Sequence, residues 1–221
     1  MPRARVLSAV AAILLLPAAA AAQAVQFTAN LTHDQEPPAI SSIPPTTSTG
    51  APRPLSFGTA TFTLNAERTA LTFTATIFNI DINGLQTPND ANDNLQAAHI
   101  HCCLALTNPP GAAGVRWGFF GMPDNDISPK QLVITPLPGG AVGGTFSSTW
   151  DLTEGNAGQT LATSLPNLLN NEAYINFHTT QFTGGEIRGQ ITQVVPEPST
   201  YALMATGIAG VGLAALRRRR I

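Results

Sequence analysis

Between residues 58 and 80 the chain alternates apolar and polar side chains with a period of two. Ala60, Phe62 and Leu64 stand against Thr59, Thr61 and Thr63; beyond the turn Ala66-Glu67-Arg68-Thr69, the residues Leu71, Phe73, Ala75 and Ile77 resume the pattern. Successive side chains of a strand point to opposite faces, so these two runs predict a hairpin with one buried face. Shorter runs rich in Val, Ile, Thr and aromatic residues predict strands at 25–31, 98–105, 115–120, 132–135, 144–152, 173–179 and 186–194. One helix is expected over 161–171, with Pro166 either in its first turn or breaking it. The Pro-, Ser- and Thr-rich stretch 36–54 predicts a long irregular loop. About eight strands and one short helix give an all-β class: a single antiparallel sandwich or barrel-like domain.

The two ends break this pattern. Arg3 and Arg5 precede an apolar run over 6–16, then Pro17 and an alanine tract. A charged start, a short apolar core and small residues at a cleavage position predict a signal peptide over 1–24, removed by signal peptidase. At the other end an apolar run over 201–216 is followed by Arg217, Arg218, Arg219 and Arg220. Its length predicts a C-terminal hydrophobic helix near the lower limit for crossing a membrane, with the arginines on the cytoplasmic side. The expected divisions are thus a signal peptide at 1–24, a β domain at 25–194 and a tail at 195–221. Both ends place the domain outside the inner membrane, transiently anchored by the tail and then at the cell surface or beyond it.

Composition sharpens the picture in two ways. Charged residues are 11% of the chain, against roughly 25% in ordinary soluble domains, while 19 glycines and 18 prolines favour turns over long helices. Six of the eleven basic residues lie in the terminal segments, leaving Arg53, Arg68, Arg116, Lys130 and Arg188 against an excess of carboxylates. A net negative domain repels phosphate backbones, which excludes nucleic acid as a partner.

The candidate chemistry lies in two polar stretches. In Ala98-His99-Ile100-His101-Cys102-Cys103, strand geometry puts His99, His101 and Cys103 on one face; in the segment 173–179 it groups Tyr174, Asn176 and His178. A turn at Gly184-Gly185 between the last two strands can bring His178 near Glu186 or Arg188. Two readings stand. His99, His101 and His178 supply three imidazoles for copper or zinc, with water in the open position. Alternatively, the three histidines with Glu186 and Arg188 form a buried polar cluster that fixes strand pairing. Cys102 and Cys103 are adjacent, and neighbours on a strand face opposite ways. They read first as buried thiols, with a vicinal disulfide, an intermolecular link or a fourth ligand from Cys103 as alternatives. The acidic stretch 90–94 lacks the glycine and glutamate of a calcium loop and reads as a solvated turn. No G-x-S-x-G, H-E-x-x-H or Walker loop is present, so nothing points to an enzyme.

Two segments resemble known families. Pro196, Glu197 and Pro198, a short apolar helix and the arginine cluster resemble the PEP-CTERM sorting signal of Gram-negative bacteria. The resemblance implies cleavage by an exosortase-type protease and delivery to the cell surface, in an extracellular-polysaccharide setting. Residues 31–38 (LTHDQEPP), 98–102 (AHIHC) and 174–190 (YINFHT through GGEIRGQ) resemble the CHRD domain, in order, from about residue 25 to 193. That family implies an all-β domain and carries no settled activity. Cys103 and the leucines after the first histidine pair depart from its commonest pattern. The function expected is that of an exported envelope or matrix protein with a structural or binding role toward an extracellular polysaccharide or surface protein. The alternative is a metal-binding or redox protein using His99, His101 and His178.

Overall fold

The computed structural model describes residues 23–105, 107, 110–194 and 198–218. Its framework is one antiparallel sheet built from β1 (Val25–Thr32), β2 (Phe57–Leu64), β3 (Ala70–Phe78), β4 (Leu95–Cys102), β5 (Val115–Phe120), β6 (Val133–Pro136), β7 (Gly143–Asp151), β10 (Ala173–Thr179) and β11 (Ile187–Gln193). A separate ribbon pairs β8 (Gly155–Asn156) with β9 (Gln159–Thr160), and the helices are α1 (Pro38–Ser41), α2 (Leu161–Leu169) and α3 (Pro198–Arg218). The order across the sheet is β5-β4-β10-β11-β1-β2-β3-β7-β6. The hairpin β10–β11 therefore joins β4 on one side to β1 on the other.

The predicted hairpin forms, with Leu64 opposite Leu71 and Phe62 opposite Phe73. Its apolar positions are buried, whereas Thr59, Thr61, Thr72 and Thr74 face solvent. The sheet curls around this apolar face into a half-barrel, so that edge strand β5 comes to rest over the far side. Phe73 and Phe119 lie 4.7 Å apart, Trp117 stacks on Trp150 at 5.8 Å, and Phe120 meets Phe146 edge-on at 6.1 Å. A right-twisted sheet of many strands curls when its inner face carries bulky side chains, and here the aromatic contacts complete what strand pairing leaves open. Each fully buried aromatic or aliphatic side chain contributes about 1.5–3 kcal/mol.

Three expectations change. The strand expected at 98–105 starts at Leu95 and stops at Cys102, because the chain bends at Cys103. Pro166 lies inside α2 and does not break it. A capping box between Thr160 and Thr163 fixes the start of that helix, and buried Leu161 and Leu168 tie it to the core, which outweighs the local cost of proline. The stretch 36–54 is only partly irregular, since it contains α1 and a bridge between Thr46 and Pro52.

The signal peptide expected over 1–24 lies outside the described residues apart from its last two positions, as do Pro196, Glu197, Arg219 and Arg220. Helix α3, which begins at Pro198 and includes Arg217 and Arg218, forms where the hydrophobic tail was expected. Among the described residues no helix is long and apolar enough to cross a membrane. The membrane-spanning expectation is corrected on that point: Thr206 and the glycines at 207, 210 and 212 dilute the apolar run.

Candidate metal centre

On β4 and β10, the face turned away from the aromatic core is not open to solvent. His99, His101, Tyr174, Asn176 and His178 are all buried there. The register explains the grouping: Tyr174 lies opposite His101 and Asn176 opposite His99, with His178 one step further along the same face. Loops then close over them, each held by a carbonyl. His99 Nε2 meets the Met122 carbonyl at 2.9 Å, His101 Nδ1 the Ala113 carbonyl at 2.9 Å, and His178 Nδ1 the Thr183 carbonyl at 3.0 Å. The loop over His99 comes this close because residue 118 is glycine; a side-chain carbon there would sit 1.8 Å from the Pro123 carbonyl oxygen.

A carbonyl only accepts, so each of these ring nitrogens carries the hydrogen. In a neutral imidazole the other nitrogen is then bare. Three bare nitrogens remain: His99 Nδ1, His101 Nε2 and His178 Nε2. Ligand atoms of the three rings all lie within 4.8 Å of one another. His99 Nδ1 and His178 Nε2 are 3.1 Å apart, and His101 Nε2 is buried without a hydrogen-bond partner. For tetrahedral zinc with bonds near 2.0–2.1 Å, neighbouring nitrogens stand about 3.3 Å apart, a spacing the His99–His178 pair already approaches and His101 would reach by moving inward.

The electrostatics favour neutral rings. Burial pushes the His101 imidazole down to about 4, helped by His99 and Arg188, and that of His178 down to about 3, helped by His99 and His101; burial lowers His99 as well. Two bare nitrogens 3.1 Å apart need a proton or a cation between them, and these shifts disfavour the proton. The carbonyl anchors have the form that fixes metal-ligating histidines by hydrogen-bonding the nitrogen remote from the ion.

Comparison with known families decides the identity. A family model for the CHRD domain matches residues 27–191. The chain belongs to the CHRD domain family. A second model, the PEP-CTERM protein-sorting motif, matches residues 194–220. A CHRD domain followed by that motif marks an exported protein sorted to the surface, and the motif implies processing by an exosortase-type protease. No curated protein and no solved structure matches the chain.

Of the remaining predicted residues of the CHRD domain, Arg188 stays beside the histidine layer, opposite Asn176, and the others fall elsewhere. Glu186 does not join the histidines. Its carboxylate takes both Arg53 nitrogens, Nη1 at 2.7 Å and Nη2 at 2.6 Å, together with the Thr179 hydroxyl and the Ser56 hydroxyl. Arg188 lies over the Tyr174 ring at 4.6 Å and donates to the carbonyls of Gln35 and Gly111. The single five-residue cluster is therefore split, because Glu186 precedes β11 and follows the Gly184-Gly185 turn, where strand alternation no longer sets direction. Cys102 and Cys103 form a vicinal disulfide and are not free thiols. The bend at Cys103 removes that residue from strand geometry and from the histidine face. In the acidic stretch Asp93 is buried, with its carboxylate against the Thr87 hydroxyl at 2.9 Å, so the solvated-turn reading holds only for its exposed neighbours.

Sequence reasoning missed Arg53, Glu36 and His33. His33 meets the carbonyls of Glu186 and Ile43, at 2.6 and 3.1 Å, and so ties the 33–43 segment to the start of β11. Arg53 and Glu36 come from loops and His33 from a single short helical turn, where no periodicity marks direction. Glu36 was visible only as part of the 31–38 segment.

Proposed function

We propose that this surface-sorted CHRD domain is a metal-binding protein, with His99, His101 and His178 holding one copper or zinc ion. The observation that carries this reading is the proton count: three loop carbonyls take the three ring hydrogens, so three bare nitrogens face one another in a buried space. Such an ion replaces the repulsion between His99 Nδ1 and His178 Nε2 with two bonds. The bound ion supplies Lewis acidity or, for copper, a redox couple, while the chain orients the rings and excludes solvent. Elemental analysis of the purified protein after reconstitution tests it. About one equivalent is expected in the wild type, and less than a few tenths in His101→Ala and His178→Ala; a wild type that binds no copper or zinc overturns the reading.

A second reading is a binding role toward an extracellular polysaccharide or surface protein. It draws on a cavity of about 300 Å³ between the 47–54 and 87–93 segments, lined by Thr47, Pro52, Arg53, Thr87, Asp90 and Asp93. Export begins, on our reading, with signal peptidase acting at the N-terminal segment and ends with the tail anchoring the protein until it is cut. Truncation before Pro196 separates the two steps: secretion continues while surface retention is lost. An unchanged distribution would count against the role of the tail.

A further inference from the structure

At the start of β2, two large apolar side chains stand open to solvent. Leu55 is 62% exposed and Phe57 48% exposed. Across the sheet Phe57 is flanked by Phe78 on β3 and by Thr32 on β1. Phe78 stacks on one face of its ring, with centroids 4.7 Å apart and planes 12° from parallel. The other face therefore fronts a groove of about 550 Å³ on the β1 side, which Phe57 shares with Thr32, Asp34, Ser41 and Leu55. The His33 nitrogens and the Ser56 hydroxyl, also at the groove, are already committed to carbonyls and to Glu186. Three polar groups remain. Thr32 Oγ1 accepts from Gln35 Nε2 at 3.1 Å and keeps its own hydrogen to donate. Ser41 Oγ makes only a long bond to the Pro37 carbonyl, at 3.4 Å. The Asp34 side chain is exposed, and its carboxylate has no hydrogen-bond or ion-pair partner among the described residues.

We propose that this groove binds a neutral sugar ring of a polysaccharide, laid against Phe57 and Leu55 with adjacent hydroxyls donating to the Asp34 carboxylate. This rests on the binding role of the second reading above and not on the metal, and it uses a different surface from the cavity between 47–54 and 87–93. A pyranose has the two-sided chemistry that the groove asks for. The C–H groups on its ring face pack on an aromatic plane, and the hydroxyls at its edge pair with a carboxylate and with other hydroxyls. A wholly apolar partner would strip water from Asp34 and return nothing. An acidic one would meet that carboxylate and the net negative charge of the domain.

The test runs the full chain on native gels cast with hydroxyethylcellulose, galactomannan or acidic alginate, and reads Kd from the retardation. A labelled polylysine peptide, titrated separately, probes for a basic protein segment instead. The wild type is expected to be retarded by at least one of the two neutral polymers and not by alginate. In Phe57→Ala and in Asp34→Ala that Kd is expected to rise about tenfold, whereas Phe57→Trp keeps it within about twofold. Asp90→Ala, in the other cavity, also leaves it within about twofold. Asp34→Ala carries the test if Phe57→Ala fails to fold, as judged by circular dichroism. Retardation that neither alanine variant weakens overturns this site and leaves polysaccharide binding standing. No retardation by any polymer overturns both. Retardation by alginate alone, or polylysine binding without retardation by either neutral polymer, gives the groove to another class of partner and overturns the proposal.

Discussion

The outward face of the sheet is largely polar, but its two halves live in different surroundings. On β2 and β3 it carries Thr59, Thr61, Thr72 and Thr74, open to solvent; on β4 and β10 it carries His99, His101, Tyr174, Asn176 and His178, sealed under loops. The strand pattern is the same. What differs is the cover: carbonyls of Ala113, Met122 and Thr183 descend on the histidines, and none of the exposed threonines has such a lid. A polar residue facing water costs nothing and needs no explanation, while a buried one must find partners. The unpaired nitrogens in the covered half are therefore the informative ones.

The largest effect that would break this contrast comes from acid. Two rings with values near 4 and 3 stay neutral in the folded protein while the same groups protonate in the unfolded chain below about 6.5. Their share of stability is complete above that pH and is lost as pH falls toward the folded values, at about 1.4 kcal/mol per ring per unit. Urea unfolding at pH 7 and pH 4 is expected to differ by several kcal/mol, and the double variant His101→Gln, His178→Gln to be markedly flatter. Next comes the inner face as a reference: Phe73→Ala is expected to cost about 3–5 kcal/mol at any pH, because it opens a cavity beside Phe62, Trp117 and Phe119.

Glu36 sharpens the comparison from the other direction. Its carboxyl is raised to about 8, so its contribution is complete below about 4.5 and is lost as pH rises toward 8. Glu36→Gln is expected to stabilise by on the order of 2–3 kcal/mol at pH 8 and by almost nothing at pH 4.5, read from the same unfolding curves. The smallest effect belongs to the open half. Thr74→Val should move stability by no more than about 0.5 kcal/mol. A larger change would mean that Thr74 has a partner after all.

The open half was also the most legible. Alternation from Ala60 to Leu64 and from Leu71 to Ile77 set both the strands and their register, because one face is buried and a slip by one residue would expose it. The histidine triad was legible for the same reason: i and i+2 on β4 and a third ring on β10 obey strand geometry. The rest of the site was not. Arg53 reaches Glu186 across 133 positions, and Glu36 reaches the Gly185 turn from a loop, so neither direction is encoded locally. Cys102 and Cys103 were read by the strand rule one residue past the point where the strand ends.

The position of β10 and β11 has a consequence for the order in which the sheet can close. The rest of the sheet consists of two separate pieces, β5-β4 and β1-β2-β3-β7-β6, which touch along no ladder until the final hairpin arrives between them. The same hairpin delivers His178 and Asn176. A chain that has not yet placed this hairpin thus lacks both the strands that join the two pieces and the third imidazole of the histidine group. The histidine group is therefore complete only once the last roughly 50 residues have folded against the rest.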